Sequence, residues 1–138
     1  MHVSPQRMLL LGAFLALASA AVIAVGVIPR VRADTFPGAT PDRAIPAFWV
    51  NVLLTVLAAA AALASARLGS NRATLRRVLP GAAGVVAMLL GLALMDAAAA
   101  YSGHGPGMYT ASAALWVCAC LDLAGGASMV VSAFLRRR

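Results

Sequence analysis

The stretch that decides the fold runs PGAAGVVAMLLGLALMDAAAAY (Pro80–Tyr101), SGHGPG (Ser102–Gly107), MYTASAALWVCACLDLAGGASMVVSAFL (Met108–Leu135). Each apolar run is long enough, at ~1.5 Å per residue, to cross a hydrocarbon core of ~30 Å. The break between them is built of serine, glycine and proline, residues that favour a tight turn. The stretch therefore predicts an antiparallel pair of membrane-spanning helices carrying two acids, Asp96 and Asp122. An ionisable residue inside a span is costly and is by default a candidate functional site.

Upstream of this hairpin, Arg67–Arg77 is the most basic segment, with Arg67, Arg72, Arg76 and Arg77. Pro80 is expected to open the third span, because a first-turn proline has no hydrogen bond to lose. Before it lies a second span, about Ala47–Ala66, which begins with Phe48 and Trp49, amphipathic anchors at headgroup level. Asn51 and Thr55 share one of its faces, and Ala58–Ala62 admits a close neighbour. The first span is Met8–Ile28, and Pro29 is expected to end it. Arg7 and Ala18-Ser19-Ala20 imitate a secretory leader, but the apolar run continues through Ile28, favouring an uncleaved helix. The connection Pro29–Pro46 is read as a solvated loop with Pro37-Gly38 and Pro41 as turn signals. The fold class is thus an all-α membrane protein. It is a single domain (1–138), a bundle of four transmembrane helices spanning about 8–28, 47–66, 80–101 and 108–135.

Composition agrees: 62% apolar residues, 11% charged and a mean hydropathy of +0.90 place the chain among integral membrane proteins. All 11 cationic side chains are arginine and all 4 acids are aspartate. The net charge of +7 would suggest nucleic acid in a soluble protein. Here the arginines flank apolar segments and no aromatics interleave with them, so no nucleic acid is expected. Lipid headgroups are the natural contact of Arg67, Arg72, Arg76, Arg77, Arg136, Arg137 and Arg138. These residues and Arg7 fall on one side of an even number of spans. Arg30, Arg32 and Arg43, offset by Asp34 and Asp42, fall on the other. The positive-inside bias then puts both termini on the cytoplasmic side. A plasma or inner membrane is the expected location.

Depth along the spans groups the polar residues. Asn51 and Asp96 are each about five residues, or ~7 Å, inside the outer boundary, with His104 in the turn above. If the second and third spans face each other, Asn51 can donate to Asp96. Asp122 is central in the last span, where a charged aspartate costs ~2.5–3.5 kcal/mol. It is therefore expected to face the bundle or another subunit. Asn51, Asp96, His104 and Asp122 are the candidate polar or ion-binding residues. Gly81, Gly84 and Gly91 make a small-residue face on the third span; Cys118 and Gly126 share a stripe with Asp122 on the fourth.

Several chemistries lack their residues. Cys118 and Cys120 are two apart on a helix, so their thiols diverge and are not a metal or redox pair. No phosphate-binding glycine loop, nucleophile elbow or pair of catalytic carboxylates is present, and no cofactor or metal is expected. The best expectation is a non-enzymatic scaffold or accessory subunit, with other membrane subunits or copies of itself as partners. The alternative is an oligomeric transporter or channel for protons, cations or a small solute, using Asp96 and Asp122. A membrane enzyme or redox protein comes third.

Overall fold

The computed structural model describes residues 3–33, 41–102 and 106–136, and every regular element among them is helical. The elements are α1 (Pro5–Val22), a π-helical turn (Ile23–Val27), α2 (Ile28–Ala33), α3 (Pro41–Ser65), a 3₁₀ turn (Ser70–Arg72), α4 (Ala73–Ser102) and α5 (Pro106–Leu135). Four stretches are long and apolar enough to cross a membrane: Pro5–Ala33, Ala44–Ser65, Ser70–Ser102 and Thr110–Leu135.

Proline does not mark the helix ends where the sequence suggested. Pro29 was expected to stop the first helix, yet the chain stays helical to Ala33. The reason lies just upstream. Proline lacks a donor for the carbonyl four residues back, and its ring crowds that carbonyl. The turn Ile23–Val27 has widened to a π-helix, with the Ile28 N–H donating to the Ile23 carbonyl, so the crowding is spread over a larger turn. Pro46 likewise lies inside α3, which starts at Pro41 within the segment expected to be loop. Pro80 lies inside α4, which starts at Ala73, so much of the basic Arg67–Arg77 segment is helical. At the start of α1, the Ser4 side chain caps the Arg7 N–H at 3.2 Å, ahead of Pro5 in the first turn.

The helices pack in a ring. α5 lies between α4 and α1, and α3 closes the ring by touching α4 and α1, so α1 and α4 sit across a diagonal. Glycines set the two closest crossings. A methyl group built on Gly126 would stand 2.5 Å from the Gly84 carbonyl oxygen of α4, and the reverse also holds. One on the adjacent Gly125 would stand 2.8 Å from the Gly12 carbonyl oxygen of α1. Two consecutive glycines thus bring α5 into backbone contact with neighbours on both sides, the close approach that small residues permit. Gly81 is looser: its added methyl would meet Ala133 at an ordinary 3.6 Å.

Core composition follows this spacing. Where the glycine crossings lie, the buried residues are small: Ala13, Ala16, Ala59, Ala62 and Ala87, with Leu9 and Met129. Towards the other end the core holds Ile23, Val27, Phe48, Leu94 and Leu115. Phe48, expected as a headgroup anchor, is 5% exposed and stacks obliquely on Tyr101 with ring centroids 6.2 Å apart. Its neighbour Trp49 is exposed. The hairpin is pinned near its turn by Ser112, whose hydroxyl donates to the Ala98 carbonyl at 2.8 Å.

Candidate functional site

The polar interior of the bundle is built around Asp122 of α5, which is fully buried. Its Cβ packs close to Gly91 of α4: a methyl on Gly91 would stand 3.1 Å from it, tight enough that a neighbour would have to shift slightly. On the other side lies Ser19 of α1, beside the carboxyl. The Ser19 hydroxyl is within hydrogen-bond geometry of the Cys118 carbonyl, at 3.2 Å. The Cys118 thiol returns the contact, donating to the Ser19 carbonyl at 3.7 Å. Neither oxygen of Asp122 has a hydrogen-bond partner among the described residues.

A carboxyl in this position can donate as well as accept, with the Ser19 oxygen as its neighbour. Burying a polar group without partners is costly.

Asn51 joins this layer and not the one assigned to it from sequence. Its amide donates to the Leu90 carbonyl of α4 at a long 3.5 Å and takes the Thr55 hydroxyl at 3.5 Å. Leu90 and Gly91 are adjacent, so Asn51 and Asp122 touch α4 at consecutive residues from its two neighbours in the ring. The helical start at Pro41 explains the shift, since Asn51 is ten residues into α3 and not five into a span.

Asp96 is elsewhere. It lies five residues from Gly91, about 140° around α4, and is exposed, in line with the exposed Leu89 and Leu92. The expected Asn51–Asp96 pair is therefore absent, and the two acids Asp96 and Asp122 sit on opposite sides of α4. His104 lies outside the described residues. Among the described residues no group of three or more potential metal ligands occurs. Cys118 is buried and Cys120 exposed, so the thiols do diverge.

At one end of the bundle the arginines gather. Arg67, Arg72, Arg76 and Arg77 are exposed and Arg136 is half-buried, while Arg137 and Arg138 lie outside the described residues. Ser4, Ala66, Arg76 and Arg136 line one cleft, which brings the start of α1, the end of α5 and the α3–α4 connection together. Sequence reasoning missed Gly12 and Gly125, although their small size was the available signal. It also missed the π-helical turn, for which Gly26 followed by Pro29 was the only hint.

No protein-family model, curated protein or solved structure matches this chain.

Proposed function

We propose that the chain is an integral multi-pass membrane protein with both termini cytoplasmic, acting as a non-enzymatic scaffold or accessory subunit of a membrane complex. The observation that carries this reading is the exposed Asp96, placed on the side of α4 turned away from its own bundle. An acid directed outward from a span is unfavourable towards lipid and is relieved by a polar group on another polypeptide. The glycine crossings support a rigid body that presents this face, since Gly84–Gly126 and Gly12–Gly125 leave little freedom to the helices.

The test is gentle extraction of the native assembly, intact-mass analysis, and a photo-crosslinking residue at position 96. Larger, different subunits crosslinked through position 96 are the expected result. Copies of this chain alone, with no crosslink, would overturn the accessory reading.

A second reading has its own observation in the unpartnered, fully buried Asp122. It is a proton- or cation-linked transporter centred on Asp122 alone, because Asp96 lies across α4 from it. Flux into proteoliposomes that Asp122→Asn abolishes would establish it.

A further inference from the structure

Two clefts meet at Arg77. The first, of about 320 Å³, is lined by Ser70, Ala73, Arg76, Arg77 and Arg136. The second, of about 230 Å³, runs from Arg77 between α4 and α5 over Val78, Gly81, Val130, Ala133 and Phe134. One is polar and cationic. The other is apolar, and it points from the arginine end along the membrane-crossing helices.

Among the described residues no acid neutralises the cationic cleft; Asp34 lies outside them. Asp122 precedes Arg136 by fourteen residues of helix, roughly 21 Å. Asp96 follows Arg76 by twenty, roughly 30 Å. Asp42 lies in the first turn of α3, at the opposite end from Ala66, which borders the neighbouring cleft. Like charges are instead held together: burial first, and then the charge of Arg76, hold the Arg136 guanidinium below its ordinary pKa. Arg136 uses an N–H of one terminal nitrogen on the Arg76 carbonyl, at 3.2 Å, and a guanidinium carries five N–H donors in all. Spare donors, uncompensated positive charge and a planar fork are what a phosphate group recognises.

We propose that the Arg76–Arg77–Arg136 corner and the apolar groove below Arg77 form one site for an anionic phospholipid, its phosphate on the guanidiniums and an acyl chain along Val78, Gly81, Val130 and Ala133. The inference rests on the membrane reading above and deepens it from general headgroup contact to one shaped site. Charge complementarity selects the anionic headgroup, and the shared Arg77 joins it to the groove. A free phosphate would fill only the first cleft.

The experiment is native mass spectrometry of the purified full-length chain in mild detergent, titrated with phosphatidylglycerol or phosphatidylcholine. Phosphatidylglycerol is expected to be retained preferentially. Arg136→Gln and Arg77→Gln should each weaken its binding about five- to tenfold, the scale of one charge-assisted contact. Arg77 makes no hydrogen bond from its side chain among the described residues, so Arg77→Gln keeps the test valid if Arg136→Gln perturbs the fold. Arg7→Gln, exposed and lining neither cleft, should leave binding unchanged. Glycerol phosphate should fail to displace the lipid, and Phe134→Ala, which removes a groove wall, should weaken it. An equal loss with Arg7→Gln would mean diffuse surface charge and would overturn the proposal, as would full displacement by glycerol phosphate. The isolated chain is titrated here, so failure leaves the accessory reading, judged by native composition, unaffected.

Discussion

Arg136 donates from its guanidinium to the backbone carbonyl of Arg76 at 3.2 Å, and Arg76 stands four residues before Pro80. In an unbroken helix that carbonyl would receive the N–H of residue 80, which proline lacks. The last turn of the chain thus supplies a donor that a proline in another helix withholds.

This pairing predicts a coupled mutant cycle. Arg136→Ala should destabilise the bundle by about 1 kcal/mol, below the usual range for a charged donor because the side chain is half-buried. In a Pro80→Ala background residue 80 regains its donor, and the same change should cost almost nothing. Thermal unfolding of the four proteins in detergent measures the coupling. Equal costs in both backgrounds would show that the bond does not compensate for Pro80.

The glycine crossings predict opposite outcomes for similar changes. Gly84→Ala and Gly126→Ala each force α4 and α5 apart, and each should cost about 1–3 kcal/mol. Gly125→Ala should do the same between α1 and α5. Gly81→Ala meets only an ordinary contact, so the helical preference of alanine should make it neutral or stabilising by up to about 1 kcal/mol. Melting temperatures of the four variants decide the matter, and a destabilising Gly81→Ala would refute the ranking.

The separation of the polar residues predicts independence. Asn51→Ala should cost about 0.6 kcal/mol, the average for polar contacts between membrane helices. Its effect should add to that of Asp96→Ala within about 0.5 kcal/mol, as for sites with no shared partner. A larger coupling in a double-mutant cycle would indicate that the two side chains meet.

Asp122 predicts tolerance of an amide. Its oxygens have no donors to lose, so Asp122→Asn should unfold at the wild-type temperature or above it at neutral pH. In the accessory reading the native complex also survives this change. Loss of assembly or of flux with an intact fold would move the weight to a protonation role.

The cysteines test the rotation of α5. An apolar maleimide should label Cys120, which is exposed, well before Cys118, which is buried against Ser19. Ser19→Ala should speed labelling of Cys118 by loosening that contact. Equal labelling of both thiols in the wild type would contradict the α1–α5 interface.

The candidate site was only half legible in the chain. Asp122 stood out because a carboxyl in an apolar run is conspicuous whatever surrounds it. That Gly91 of α4 packs on it was not legible, because which residue of a neighbouring helix faces it depends on helix rotation. Asn51 was misplaced by counting from an assumed helix start at Ala47, when α3 begins at Pro41. Phe48 was read as an anchor since aromatics at a span's edge usually are, whereas here it turns inward onto Tyr101.

By itself the sequence determined the number and approximate place of the long apolar helices, because partition between water and hydrocarbon sums over residues and needs no knowledge of neighbours. It also pointed to the gathering of arginines, since four successive antiparallel helices bring the start of α1, the α3–α4 connection and the end of α5 to one end of the bundle. Tertiary structure alone decided the rest. The first helix runs on past Pro29 through a widened turn at Ile23–Val27, and α4 runs through Pro80 with Arg136 donating to the carbonyl that the proline leaves unserved, a contact that exists only after folding. The two acids parted because the glycine faces of α4 and α5 choose which side of each helix is buried. Backbone-to-backbone contact at Gly84–Gly126 turns Asp122 inward and leaves Asp96 facing out.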